Sequence, residues 1–521
     1  KNAALFGMIF VINRTIQAKL ALFLQRLFVM YLNRSFRFHL QRNSAEIIRN
    51  LSTSANRAFE SIRLMLMISL ESMLALVAFA LLLFFEPMVT VAAAAGLVSF
   101  GFLFHRLSGP HLLRWGKTSQ DIDGRMIKSI TEALGSIRDV KLLNVHEYLG
   151  SEFAHHTKGR ARILSKLTTF QHLPRLSVET LVIMGFAAVV LSLMFTKHST
   201  DEVISALGLL GIAALRLMPS TSRILTGAND LKNRLANVDV LYQDLMDAEA
   251  EATQPDGNGP HKDFSLSDEI RFTDVSFSYP GGVDAAVKAL NIAIKTGESV
   301  GIVGTSGAGK STFIDLLLGL LPPDTGSISV DGRDIALNTR GWQEILGYVP
   351  QSIYLVDDTI RRNIAFGLND EAIDPARINF SLRMANLESV IEGLPNGLET
   401  RLHEGGSRLS GGQRQRVAIA RALYRDPEVL IFDEATSDLD NETEKEVTAA
   451  IDRLKGEKTV ITISHKLSTV RNCDKIIYMI DGEINDIGSF DALCANNSRF
   501  RQFADSEPKN ENFTSLPLGP T

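Results

Sequence analysis

Three short stretches hold residue types at spacings that suit phosphate chemistry. The first, GTSGAGKST, comprises Gly304, Thr305, Ser306, Gly307, Ala308, Gly309, Lys310, Ser311 and Thr312. It lies between the strand-like SVGIVG and the helical STFIDLLLGLL, the context that a G-x-x-x-x-G-K-[ST] phosphate loop requires. Its glycines let backbone N–H groups wrap a polyphosphate, and the following helix start adds the positive end of a dipole. Lys310 then reaches the outer phosphates and Ser311 ligates Mg2+. The second stretch, VLIFDE at 429–434, has the pattern of a buried strand ending in two carboxylates. Asp433 is placed to hold Mg2+, directly or through water, and Glu434 to orient and deprotonate an attacking water. The third, LSGGQRQRVAIARAL at 409–423, opens a helix with Ser410, Gly411 and Gly412. Exposed N–H groups and a hydroxyl make that opening a second anion site. One domain needs only one phosphate cradle, so the second points to a nucleotide shared with a facing subunit.

These motifs need a sheet to carry them. From about residue 269 the short β-type runs SVGIVG, VLIFD, TVITIS and KIIYMI alternate with helical stretches, as in an α/β domain with a largely parallel sheet. The 521 residues suffice for several domains, and 45% of them are hydrophobic against 22% charged. A soluble protein is usually more polar, so the average points to one apolar part and one ordinary part. The net charge of −5 argues neither for nor against nucleic acid. Cys473 and Cys494 stand without a CxxC or His-rich context, as reduced thiols in a cytosolic domain do.

The membrane part shows as apolar runs at 64–85, 88–104 and 176–195, each close to the ~20 residues of a spanning helix. NAALFGMIFVI at the start looks like the tail of another span. The loops at 13–63 and 106–175 are long and basic, whereas Glu86-Pro87 and 196–202 are short turns. The positive-inside tendency makes the long loops cytoplasmic. Their helical pattern extends the spans well into the cytosol. Residues 247–268 have linker composition, and 506–521 read as a disordered tail.

LSGGQ, the phosphate loop, VLIFDE, Pro350-Gln351 and SHKLST together resemble the ABC transporter family, in family order and across essentially all of 269–500. The resemblance implies ATP and Mg2+ as ligands and carries further positions over. Tyr279 matches the aromatic that stacks on adenine, and Gln351 the glutamine that touches Mg2+ and water. His465 matches the histidine that senses the outermost phosphate. Gln413 completes the signature beside Ser410, and Asp440 lies in the SDLD loop across the dimer seam, where SALD is the commoner form. Taken singly, Tyr279 and His465 also read as an ordinary strand-end aromatic and histidine. Every catalytic position holds the competent residue, which favours a homodimer with two active sites.

Spans before the ATPase resemble an ABC exporter half-transporter whose first span and part of the second are missing here. The expected fold is an α-helical transmembrane domain (1–246), the linker, then an α/β P-loop ABC ATPase domain (269–505). The segments HLQRNSAEII and NVHEYLGSEF fall where the family's coupling helices contact the ATPase. ALRLMPSTSRILTGANDL and HLPRLSVET resemble the bacterial lipid-linked-oligosaccharide flippases of protein N-glycosylation. That likeness implies an inner-membrane protein, a polyprenyl-pyrophosphate-linked substrate and no nucleic-acid partner. Export of another lipid, peptide or drug is the rival reading, and a non-pumping channel or regulator the more distant one.

Physical reasoning on the same stretch agrees. The run 203–215 covers only about two-thirds of a ~30 Å hydrocarbon core, so Arg216 falls at membrane depth. Arg216 and Arg223 are seven residues apart and share a helix face, with Pro219 between them to bend the helix. Arg175 follows Pro174 just before another span. A charge at that depth faces a cavity or a partner, and arginine can grip a pyrophosphate bidentately. Two readings stay open for Arg223 and Arg175: an anion-binding wall, or side chains reaching back to the cytoplasmic headgroups. Glu71 and Glu179, also within spans, are possible partners for the arginines.

Overall fold

The apolar runs fold into helices much longer than the runs themselves. The structure, a computed structural model, describes residues 2–85, 87–195, 200–252, 264–282, 284–406, 408–435, 444, 448–449 and 451–506. It divides into two units, Lys1–Thr253 and Gln254–Thr521.

The first unit contains α1 (Asn2–Leu32), α2 (Phe36–Gln41), α3 (Ser44–Arg49), α4 (Ala55–Phe85), α5 (Pro87–Gly135), α6 (Ile137–Leu142), α7 (His146–Phe195) and α8 (Thr200–Ala252). A π-helical turn, Asn50–Ser54, joins α3 to α4. The runs 64–85, 88–104, 176–195 and 203–215 each lie inside one helix. The 53 residues of α8 rise about 80 Å, against ~30 Å of hydrocarbon, so the helix continues far past any membrane boundary. Its end at Ala252 makes 247–252 of the compositional linker helical. Pro87 opens α5, where its missing N–H is harmless. Pro219 lies inside α8 and removes a backbone hydrogen bond, yet the helix runs on through it.

Among the described residues, Phe6–Leu32 and Ser44–Phe84 are long and apolar enough to cross a bilayer by length and composition. Large apolar side chains such as Met73, Leu76, Phe84, Phe102 and Ile183 point outward, as on helices whose solvent is hydrocarbon. The helices are joined inside by charged groups. Asp123 of α5 accepts from Arg57 of α4 and pairs with Arg160 of α7, both at 2.8 Å. Asp244 of α8 accepts from Tyr31 Oη at 2.6 Å, Arg42 Nη1 at 2.5 Å and Asn50 Nδ2 at 2.9 Å. A buried carboxylate with three donors avoids most of the desolvation penalty of a lone charge.

In the second unit β1 (Glu269–Phe277), β2 (Val287–Lys295), β4 (Thr325–Val330) and β5 (Arg333–Asp334) make an antiparallel sheet in the order β2-β1-β4-β5. The other sheet runs β10-β9-β3-β8-β7-β6. It is built from β3 (Ser299–Gly304), β6 (Leu346–Val349), β7 (Val429–Asp433), β8 (Thr459–Ile463), β9 (Lys475–Ile480) and β10 (Glu483–Gly488). Only the β9–β10 pair is antiparallel. The helices are α9 (Lys310–Leu317), α10 (Thr339–Glu344), α11 (Ile360–Ile364), α12 (Pro375–Met384), α13 (Glu388–Glu392) and α14 (Gly411–Tyr424). After β8 come α15 (Leu467–Val470), α16 (Phe490–Asn496) and α17 (Ser498–Ser506). β3 and β8 are buried along their whole length, as parallel strands covered on both faces must be.

Strand order decides where the chemistry gathers. β8 lies between β3 and β7, with Ile463 in register with Ile302 on one side and Asp433 on the other. The phosphate loop and the two carboxylates therefore leave the same carboxyl edge of the sheet, where ligands bind in open α/β folds.

Candidate functional site

The loop after β3 is shaped for close approach of backbone to a ligand. Gly304 has φ 157°, and a Cβ there would sit 2.3 Å from the Met479 carbonyl oxygen. Gly309, the N-cap of α9, has φ 94° and would place a Cβ 2.6 Å from the Ala286 oxygen. Only glycine fits both positions. Lys310 Nζ folds over the loop and donates to the carbonyls of Gly304 at 2.8 Å and Thr305 at 3.1 Å. Burial lowers its pKa, and Glu434 and Asp433 oppose that shift. Ser311 is exposed at the helix start, while Thr312 is buried and its hydroxyl lies 3.3 Å from Tyr279 Oη. The Tyr279 ring packs edge-on to Phe277, with centroids 5.1 Å apart.

The carboxylates of β7 are held from neighbouring strands. Tyr348 Oη, on β6, donates to Asp433 Oδ2 at 3.1 Å. Burial, and then the charge of Glu434, raise the pKa of Asp433. Glu434 adopts φ +47°, the left-handed region, while its N–H still donates to Ile463 O at 2.9 Å. A non-glycine residue held there stores strain of about 1–3 kcal/mol, a feature that concentrates at functional sites. Gln351 Nε2 donates to Glu434 Oε2 at 2.7 Å, and His465 Nδ1 lies 3.5 Å from the same oxygen. The structure thus gathers Gln351, Asp433, Glu434 and His465 around one point. Among the described residues no group of three His, Cys, Asp or Glu could hold a metal alone. Ser311 and Asp433 offer oxygen donors, the ligand type Mg2+ takes together with phosphate oxygens.

Ser410 caps α14 through a complete capping box. Its Oγ accepts from Gln413 N at 3.2 Å, and its N–H donates to Gln413 Oε1 at 3.0 Å. Gly411 and Gly412 form the first turn, so the helix presents its N-terminus with no bulky side chain in front. Asp440 and the rest of SDLD lie outside the described residues.

Two residues of this neighbourhood were not legible in the sequence. Tyr348 touches Asp433 because β6 lies beside β7, a neighbour relation that no local signal encodes. Asp315, inside α9, has its pKa raised to about 6 by burial and by Asp433.

Of Arg175, Arg216 and Arg223, the two whose side chains are described, Arg175 and Arg223, have carboxylate partners. Arg223 Nη1 donates to Glu71 Oε1, and Ser220 Oγ donates to Glu71 Oε2 at 2.9 Å, joining α8 to α4. Arg175 Nε donates to Glu179 Oε1 at 2.9 Å, one turn along α7. The backbone of Arg216 belongs to α8, and its side chain lies outside the described ones.

Comparison with known proteins agrees with this architecture. The profile described as ABC transporter matches residues 287–437. An ATP-dependent lipid A-core flippase from Ralstonia nicotianae is 29% identical, over 94% of this chain and 82% of its own. A second protein of that name, from a Polaromonas species, is 31% identical over 82% of this chain and 71% of its own. Among solved structures, a bacterial Atm1-family ABC exporter with ATP bound matches with TM-score 0.82 and 23% identity, covering 96% of this chain and 87% of that one. A helical membrane unit followed by an α/β ATPase unit of this kind defines an ABC exporter. The chain belongs to the ABC transporter family and is an ATP-hydrolysing transporter.

Proposed function

We propose that the protein works as a homodimer in the inner membrane, its ATPase units in the cytoplasm, and flips an anionic lipid with the energy of ATP hydrolysis. The observation that carries this reading is the complete catalytic set within one chain. Lys310, Asp433, Glu434, Gln351 and His465 share one sheet edge, and Ser410 opens an intact signature helix. Each ATP would lie between one subunit's phosphate loop and the other's LSGGQ, with Tyr279 against the base and Asp440 near the seam. Mg2+, held by Ser311, Asp433 and Gln351, would supply charge neutralisation at the phosphates. Glu434 takes the proton of the attacking water, Gln351 orients the carboxylate, and His465 senses the outer phosphate. Loss of that phosphate reopens the dimer, and the spans follow through the cytoplasmic helices.

The narrower substrate reading, a polyprenyl-pyrophosphate-linked oligosaccharide, rests on Arg175, Arg216 and Arg223. Glu179 pairs with Arg175 and Glu71 with Arg223, so two of these three charges already have carboxylate partners. The relatives' name favours lipid A-core as the cargo instead. Reconstitution in liposomes with each lipid in turn separates the two. We expect ATP-dependent flipping that Glu434→Gln abolishes. Normal flipping of the pyrophosphate lipid by Arg216→Ala would sink the arginine reading and leave the transporter standing. ATP turnover with no movement of either lipid would point to another cargo.

A further inference from the structure

The side chain of Arg421, on the last turn of α14, reaches out of its own helix. Its Nε donates to Asn363 O at 2.8 Å, its Nη2 to Asn363 Oδ1 at 3.0 Å and its Nη1 to Tyr354 O at 3.1 Å. The guanidinium also lies 5.0 Å from the centroid of the Phe366 ring. Among the described residues no carboxylate pairs with it. A charged fork bonded only to neutral acceptors and an aromatic face does a geometric job, and lysine cannot copy it.

What it holds is the loop that starts at Gln351. Asn363, fully buried on α11, accepts from Val356 N at 3.0 Å and donates to Val356 O at 3.0 Å and Thr359 O at 3.1 Å. Val356 and Thr359 are therefore laced to Asn363, and both Asn363 and Tyr354 to Arg421. At its near end the same loop carries Gln351, three residues before Tyr354, with its amide on Glu434. At the other end of α14 stands Ser410, the capping residue of the signature turn. Hydrogen bonds at each end and three residues of covalent chain between them, Gln351 to Tyr354, join the carboxylate of Glu434 to the helix that would face the partner's nucleotide.

We propose that Arg421 is a positioning residue. It binds the Gln351 loop and α14 into one body, so that release or capture of Glu434 by Gln351 displaces the LSGGQ turn. The proposal rests on the reading that Glu434 and Gln351 serve ATP hydrolysis. Such coupling requires an element with two positions that both ends bias, a role the loop–α11–α14 body would fill.

The test uses the full-length chain in liposomes and compares wild type, Arg421→Lys, Gln351→Ala and the double variant. Arg421→Lys should fold with a melting temperature near that of wild type and keep its KM for ATP within about twofold, while kcat falls about tenfold or more. If the two residues act along one path, the double variant is no slower than Gln351→Ala alone. An unchanged kcat, or additive losses in the double variant, would overturn the proposal. Should Arg421→Lys fail to fold, hydrogen exchange on wild type decides, with and without a non-hydrolysable ATP analogue. Segments 352–363 and 410–424 must change protection together, and a change confined to one of them overturns the idea. A wild-type chain with no ATPase activity would instead contradict the proposed function itself.

Discussion

Gln351 Nε2 donates to Glu434 Oε2 at 2.7 Å, across the gap between the end of β6 and the end of β7. The amide pins a carboxylate that the backbone already aims by a left-handed turn. His465 Nδ1 lies 3.5 Å from the same oxygen. One oxygen is thus addressed from two segments, the turn after β6 and the turn after β8.

Glu434→Gln keeps the shape of the side chain and removes its basicity. We expect kcat for ATP hydrolysis to fall by about 10²–10⁴-fold, the usual range for a lost general base, with nucleotide affinity unchanged. Phosphate release alongside equilibrium nucleotide binding measures both quantities. A drop of less than tenfold would remove Glu434 from the role of base.

Ser410 combines a cap with a proposed anion contact, and Ser410→Asp separates the two. Aspartate caps as well as serine, so α14 should survive and the melting temperature stay near that of wild type. On the proposed function the added negative charge would meet the partner's phosphates and should abolish ATP-driven dimer closure. Ser410→Ala, by contrast, should destabilise by about 1 kcal/mol through the lost cap. Full activity in Ser410→Asp would mean that the hydroxyl only caps.

The Arg223–Glu71 pair predicts an order of stabilities. Arg223→Gln leaves a buried carboxylate held by Ser220 alone, whereas Glu71→Gln/Arg223→Gln leaves no unpaired charge. Thermal unfolding in detergent should rank the double variant above the single Arg223→Gln, with a coupling of about 1–3 kcal/mol. Additive effects would mean that the pair does not hold α4 to α8.

Asp315 gives the ATPase unit a pH signature. Its folded pKa of about 6 stands above the ~3.9 of an unfolded aspartate. Between those values the folded chain binds the extra proton, so stability falls as pH rises from about 4 to about 6 and is level above. Asp315→Asn removes this dependence. The melting temperature of the variant minus that of the parent should rise across that window, measured without nucleotide or Mg2+. A difference that stays flat from pH 4 to 7 would place Asp315 in a more polar setting than the structure shows.

The local patterns determined a great deal by themselves. A phosphate loop needs glycines at positions where a Cβ collides with backbone, and Gly304 and Gly309 occupy just such positions. SGGQ writes its own capping box, because Ser410 and Gln413 are three residues apart on one helical turn. Apolar runs of helical length specify long helices whatever their neighbours. α8 continues through the proline in LRLMPS.

Tertiary structure decided which of these local features meet. Tyr348 reaches Asp433 only because β6 was placed beside β7, and Arg421 reaches Asn363 only because α14 packs on α11. Glu71 lies 149 residues from Ser220, and no period or motif joins them. It became the partner of Arg223 when α4 and α8 packed side by side. Sequence encodes the torsional and hydrophobic preferences of each segment, which act over a few residues. Contacts between segments depend on strand order and helix packing, which the whole chain settles by burying apolar surface and pairing the charges left inside.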